Sequence, residues 1–190
     1  MRLRLERRGP GAARRLGLTF RAVPTARLNA IRPFYLKRHL SFPIQLVHLV
    51  RDPRACVWSV IRWRMRGDRH LGRTAQLGLA AMAAFRWIGA NLAAEFYRLC
   101  HPEASVRVNY DALLQHGVPE SIQPFAPEGP LENIVIERNE NCHSMGGNEM
   151  RNQAQVAVKR DETWKAEIPT SITVVVTSLT WPLMLRYGFY

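Results

Sequence analysis

The chain has 190 residues, 47% of them hydrophobic, which suits one domain with a single substantial core. Lys and Arg number 27 against 15 Asp and Glu, and the net charge of +12 attracts nucleotides, anionic glycans, nucleic acid or anionic membranes without choosing among them. The three cysteines form no C-x-x-C pair, and the longest apolar stretch, 172–185, is shorter than the roughly 20 residues of a membrane span, so neither a metal site nor a transmembrane segment is predicted.

The positive charge is concentrated in the first third of the chain. Residues 1–66 hold 16 Lys or Arg and only two acids, whereas the remainder holds 11 basic and 13 acidic residues. A Gly-Pro-Gly cluster between Arg pairs predicts that residues 1–24 form a basic, disordered tail. The globular domain is predicted to cover residues 25–190.

The first predicted elements are a strand, a tight turn and two helices. The apolar run 44–50 predicts a strand buried on both faces of a parallel sheet. Asp52 then has the position of an N-cap and Pro53 that of the first helical residue. A longer helix is predicted from about 74 to 99, with a stripe of large apolar residues that is expected to face the core: Phe85, Ile88, Leu92, Phe96 and Leu99.

Later segments continue the alternation of strands and helices. Residues 105–110 alternate polar and apolar side chains and predict a second strand, followed by a short helical turn that Asp111 caps. Segments 117–130 and 139–155 have the composition of loops. The run 172–176 fits a strand by its β-branched residues and a helix by its spacing, so both remain open. The alternation predicts an α/β fold with a three-layer parallel sheet flanked by helices.

The turn after the first strand is the candidate site. It places Arg51 at the carboxyl edge of the sheet, where open α/β folds bind ligands, and the N-terminus of the next helix follows directly. The helix N-terminus, the Arg51 guanidinium and the Ser59 hydroxyl are three groups that suit one phosphate. The alternative is that Arg51 and Arg54 pair with acids and that Ser59 faces solvent.

Residues 48–59 (HLVRDPRACVWS) resemble the 3′-phosphate motif of sulfotransferases that use 3′-phosphoadenosine 5′-phosphosulfate (PAPS), especially the carbohydrate branch. In that family an Arg and a Ser eight residues later hold the 3′-phosphate of PAPS. Arg51 and Ser59 have this separation, so the resemblance implies that they are the 3′-phosphate ligands. It also implies a fold like that of P-loop nucleotide hydrolases.

Further segments resemble the same family in the same order. Residues 106–114 (VRVNYDALL) look like the strand that brings a tyrosine near the adenine, which implies that Tyr110 contacts the nucleotide. Residues 143–151 (HSMGGNEMR) are similar to a stretch of the carbohydrate branch, and Arg151 is interpreted either as a donor from a lid loop or as a solvated charge. Segments 161–164 and 185–189 resemble the closing parts of the domain.

One part of the family pattern is not found in the sequence. Family members begin with a strand and a Gly- and Ser/Thr-rich loop that holds the 5′-phosphosulfate, and neither glycine-bearing segment of residues 1–20 matches it. The expected domain is therefore N-terminally incomplete, lacking its first strand and loop. No general base is assigned, because His48 is predicted to be a packed mid-strand residue and His70 lies on a polar loop without a partner.

The resemblance implies sulfuryl transfer from PAPS to a hydroxyl acceptor, a glycan by analogy, without a metal. Two forms remain open: an incomplete domain that keeps only the 3′ half of its cofactor site, or an active enzyme whose missing loop comes from other residues. The family implies the Golgi, although no signal or anchor is predicted. The alternative is a non-enzymatic basic module for nucleic acid or anionic surfaces. That module explains the charge but not the motif.

Overall fold

A computed structural model describes residues 32–39, 45–66, 71–117, 119, 131–132, 135–137, 155–158 and 160–190. The chain divides into two compact units, of which the larger comprises Thr25–Tyr110 and Asp161–Tyr190 and the smaller includes Asp111–Arg160. The predicted tail 1–24, most of both predicted loops, and Arg151 lie outside the described residues.

The elements follow one another in a mixed order of helices and short strands. In chain order they are α1 (Arg32–His39), β1 (Leu46–Val50), α2 (Pro53–Met65), α3 (Arg73–Cys100), a 3₁₀ turn (Pro102–Ala104), β2 (Ser105–Asn109), α4 (Tyr110–His116), β3 (Val135–Glu137), β4 (Gln155–Ala157), α5 (Trp164–Glu167) and α6 (Thr170–Tyr187). The predicted strands at 44–50 and 105–110 and the two predicted helices between them are confirmed. The segment 172–176, which the sequence left open, is helical.

The β1 and β2 strands form a two-stranded parallel sheet in the larger unit. Val50 pairs with Asn109, so both strands end at the same edge. The prediction that β1 is buried on both faces is wrong: His48 and Val50 are buried, but Val47 and Leu49 are 45% and 49% exposed. The apolar run carries enough Val and Leu for two faces, yet the described helices of this unit cover one.

The first turn of α2 forms as its sequence predicts. Asp52 is the N-cap and accepts a hydrogen bond from the backbone N–H of Arg54 at 2.8 Å, while Pro53 occupies the first turn, where no N–H is needed. Helices α2, α3, α5 and α6 together form a hydrophobic core of small and large apolar residues: Ala55, Val57, Trp58, Ile61, Ala80, Ala84, Trp164, Ile172 and Val176.

The apolar stripe of α3 does not face the core as predicted. Phe85, Leu92, Phe96 and Leu99 are between 52% and 71% exposed, whereas Ala80 and Ala84 are fully buried. Helices approach closely through small side chains, so the alanine face contacts the neighbouring helices and the larger side chains point away. By length and composition alone α3 is the one helix of the described residues that could cross a membrane, with mean hydropathy 1.3 over 18 residues. Only 22% of that window is buried, and α3 packs against α2 and α6.

The C-terminal helix α6 ends where Gly188 adopts a left-handed conformation with φ of 80°. The next N–H, of Phe189, donates to the carbonyl of Met184 at 2.9 Å, which closes the last turn. Phe189, Met184 and Tyr187 then pack against Val50 of β1 in a second apolar cluster. Val50, the last residue of β1, is buried in this cluster.

The smaller unit contains an antiparallel pair of short strands. Within it β3 and β4 pair through Ile136 and Val156. Leu114 of α4 is fully buried, and its carbonyl accepts a hydrogen bond from the N–H of Glu132 at 3.1 Å.

Candidate nucleotide-phosphate site

The parallel register of β1 and β2 brings two of the predicted site residues together. Arg51 follows Val50 and Tyr110 follows Asn109, so both lie at the carboxyl edge of the sheet. The guanidinium carbon of Arg51 is 4.9 Å from the centre of the Tyr110 ring, a cation–π contact. The Tyr110 ring therefore lies against the Arg51 guanidinium.

Arg51 is held at its backbone and only loosely at its side chain. Its carbonyl accepts a hydrogen bond from Trp87 Nε1 at 3.1 Å, which ties the turn to α3. Its Nη2 is 3.8 Å from Asp161 Oδ2, and the two side chains are 30% and 51% exposed. An ion pair this long and this exposed contributes little to stability, so a phosphate can displace it.

Asp161 is ionised throughout the neutral range. Hydrogen bonds from Thr163 lower the pKa of its carboxyl, burial acts against them, and the nearby Arg51 and Arg62 lower it further. Asp161 was interpreted in the sequence only as part of a closing segment. Nothing in the sequence pairs it with Arg51, because the two are 110 positions apart.

Arg54 is committed to the protein rather than to a ligand. Its Nη2 donates to Asp52 Oδ2 at 2.7 Å, and its Nε lies 3.1 Å and 3.2 Å from the two carboxylate oxygens. Its guanidinium also lies over the Trp164 ring at 5.6 Å, and both residues line a cavity of about 340 Å³. Together with the Arg51–Asp161 pair and the exposed Ser59, this ion pair gives the structure every feature of the alternative, in which both arginines pair with acids and the serine faces solvent.

Ser59 and Arg151 are not brought to Arg51 by the described structure. Ser59 is exposed on the second turn of α2, and no hydrogen bond joins it to Arg51 within the described part of the chain. Arg151 is outside the described residues. The structure therefore places Arg51 in contact with Tyr110. Ser59 lies on α2, the helix that begins at the turn.

Among the described residues, the Asp161 carboxylate is an exposed titratable group beside Arg51, whereas the nearby histidine and thiol are not exposed bases. His48 is buried as predicted and donates through Nε2 to Asn91 Oδ1 at 2.8 Å; burial lowers its pKa, although Asn91 and Glu95 act in the opposite direction. Burial raises the pKa of the Cys56 thiol to about 11, so it is not a thiolate at neutral pH. His39, which the sequence reasoning overlooked, is exposed at the end of α1 with its ring 4.2 Å from that of Tyr35.

Comparison with known proteins adds no relative. No family model, no curated protein and no solved structure matches the chain. The interpretation of the site therefore depends on its residues and on the motif that they form.

Proposed function

We propose that this chain is a sulfotransferase-like protein whose β1–α2 turn binds the 3′-phosphate of PAPS. The observation that carries the proposal is the Arg51 guanidinium on the Tyr110 ring, at the shared carboxyl edge of two parallel strands and beside the N-terminus of α2. This is the edge at which open α/β sheets bind nucleotides. The residues in contact are the two that the motif resemblance assigns to one nucleotide.

The donor groups of the turn suit a phosphate dianion. Guanidinium N–H groups match phosphate oxygens in pairs, and the Arg51 guanidinium lies 4.9 Å from the centre of the Tyr110 ring. The positive end of the α2 dipole favours an anion at the same place, although the Asp52 carboxylate takes up part of it. Ser59 is exposed on the second turn, from which its hydroxyl can donate to the ligand.

Bound PAPS supplies the sulfuryl group that such a protein transfers to a hydroxyl acceptor, which we propose to be carbohydrate. The residues of this chain with an assigned role are those for the 3′-phosphate, Arg51 and Ser59, together with Tyr110 for the nucleoside and Arg151 as a donor over it. The family's loop for the 5′-phosphosulfate has no counterpart in the sequence. Transfer therefore requires other residues to provide that loop, and a Golgi location follows from the family resemblance alone.

The test is calorimetry with 3′-phosphoadenosine 5′-phosphate on the native chain and two variants. Arg51→Ala removes a charged pair of hydrogen bonds and is expected to weaken binding by about tenfold to a hundredfold. Ser59→Ala removes one neutral hydrogen bond and is expected to weaken it by about threefold to tenfold. Adenosine 5′-phosphate, which lacks the 3′-phosphate, should bind the native chain and both variants equally weakly.

Matched controls separate the site from general charge and folding effects. Arg73 and Ser178 are exposed on α3 and α6, and Arg73→Ala and Ser178→Ala should bind the nucleotide as the native chain does. Equal binding by native and Arg51→Ala chains would refute the proposal. Tight, salt-sensitive binding of RNA fragments without preference for the 3′-phosphate would instead support the basic module.

A further inference from the structure

Three arginines from three elements meet at one buried carboxylate, away from the β1–α2 turn. Arg98 of α3 and Arg186 of α6 each contact Glu95 Oε2 through Nη2, at 3.1 Å and 3.0 Å. Arg107 of β2 contacts Oε1 through Nη1 at 3.3 Å. The Glu95 side chain is only 8% exposed, so a single acid neutralises one of three guanidinium charges.

The charge of this cluster does not vary near neutral pH. Burial would raise the pKa of Glu95, but hydrogen bonds from Arg186 and Arg98 outweigh it and lower the pKa to about 2. His48, whose Nδ1 lies 3.7 Å from Glu95, is held neutral because burial lowers its pKa. Three guanidinium groups and one carboxylate therefore leave an excess of two positive charges.

The excess charge is accessible and its donors are not exhausted. The side chains of Arg98, Arg107 and Arg186 are 32%, 36% and 48% exposed, so each is partly open to solvent. Within the described residues, the buried Nε of Arg98 has no hydrogen-bond partner. Arg107 lies over the Tyr187 ring at 5.3 Å, as Arg51 lies over that of Tyr110. Glu95 and Tyr187 thus hold the arginines together in the absence of a ligand.

We propose that Arg98, Arg107 and Arg186 form a second anion-binding site, which takes a phosphate or sulfate group. A doubly charged tetrahedral oxyanion matches the excess of two charges and accepts from several guanidinium groups at once. Arg107 of β2 precedes Tyr110, the first residue of α4, by three positions, about 10 Å of extended chain, so the second site is separate from the first. It stands independently of the nucleotide proposal.

The test follows the Nε–H resonances of labelled arginines during titration with inorganic phosphate and with sulfate. It is done in the Arg51→Ala background, so that the first site does not contribute. Saturable shifts of the Arg98, Arg107 and Arg186 signals are expected. Arg107→Gln should weaken binding at least fivefold while the other two arginines still pair with Glu95, and Arg186→Gln should act in the same direction. Arg86→Gln, at an exposed position of α3, is the matched control and should leave binding unchanged.

Glu95→Gln distinguishes a ligand site from arginines that serve only to neutralise an acid. Removal of the internal carboxylate raises the excess charge, so anion binding should become tighter, provided that thermal unfolding shows the variant to be folded. Non-saturating shifts of equal size in native, Arg107→Gln and Arg86→Gln chains would overturn the proposal. Glucose 6-phosphate and glucosamine 6-sulfate identify the source: tighter binding than the free ions indicates an ester group of a larger ligand, and equal binding indicates the free ion.

Discussion

Single side chains at the β1–α2 turn divide into those that hold the turn and those that are open to solvent. Asp52 is 7% exposed and is bound both to the backbone of Arg54 and to its guanidinium. Arg51 and Ser59 are more exposed, and the ion pair of Arg51 with the Asp161 carboxylate is 3.8 Å long. Adjacent positions of one motif thus have different physical roles, which substitutions can separate.

Replacement of Asp52 tests the structural half of the turn. Asp52→Ala removes the N-cap of α2 and the partner of Arg54, and should lower the free energy of unfolding by about 1–2 kcal/mol. Asp52→Asn keeps a capping side chain and should cost less than half of that. Urea denaturation of the three proteins measures both differences. Equal losses in the two variants would assign the effect to the charge on Asp52 rather than to the cap.

His48 should make the stability of the larger unit depend on pH. Its neighbours are Asn91, Glu95 and Arg98 on α3, Arg107 on β2, and the Tyr187 ring on α6 at 6.0 Å. Because burial lowers its pKa below the ordinary 6.5, the unfolded chain binds the proton more readily than the folded one. The contribution of neutral His48 to stability is therefore complete above about pH 6.5. It is lost as the pH falls below that value, by at most about 1.4 kcal/mol per pH unit.

Denaturation between about pH 7.5 and about pH 5.5 in native and His48→Gln chains measures this effect. The variant should show a flatter profile, because its amide can still bond with Asn91 but does not titrate. His116→Gln, at an exposed position of α4, should keep the native slope. Parallel profiles for native and His48→Gln chains would contradict the assignment. Glu95, with a pKa of about 2, does not titrate in this range.

At the scale of elements, the sequence predicted β1, α2, α3 and β2 in order but not which faces they bury. Strand β1, helix α2 and helix α3 begin and end close to their predicted positions, because caps, prolines and apolar runs are local signals. The face of α3 that packs is lined by Ala80 and Ala84, whereas pattern reasoning selected its largest apolar residues. Burial depends on which elements meet, and a periodic pattern with apolar residues on two sides of a helix does not specify that.

The faces of α3 can be distinguished by paired substitutions. Phe85→Gln and Leu92→Gln alter exposed positions and should change the free energy of unfolding by less than about 1 kcal/mol. Ala84→Leu inserts a larger side chain where none is accommodated and should cost about 1–3 kcal/mol. Urea denaturation of each variant provides the comparison. A larger loss for Phe85→Gln than for Ala84→Leu would restore the predicted stripe as the core face.

At the scale of the whole molecule, the sites arise from contacts between residues that are distant in sequence. The motif resemblance selected Arg51 and Tyr110, and the parallel register brings them together although they are 59 positions apart in the sequence. The sequence does not indicate that Asp161 lies beside Arg51, or that Arg107 of β2 and Arg186 of α6 lie beside Glu95. These contacts form only when the elements pack together. Composition indicated that a partner would be negatively charged. Only the fold shows at which points the positive charge of the chain is concentrated.

The net charge of +12 predicts how the local site and the overall field contribute to nucleotide binding. Salt screens exposed charges beyond a Debye length of about 10 Å at about 0.1 M, whereas hydrogen bonds from Arg51 act at contact. Affinity for 3′-phosphoadenosine 5′-phosphate should therefore fall as salt rises from about 0.05 to about 0.5 M in every variant. Arg86→Glu, which reverses an exposed charge on α3, should weaken binding only at low salt. Arg51→Ala should weaken it by a similar factor at both concentrations, as calorimetry across the salt series would measure. If the effect of Arg51→Ala disappeared at high salt, Arg51 would be acting through the general field alone, and the turn would not be a phosphate site.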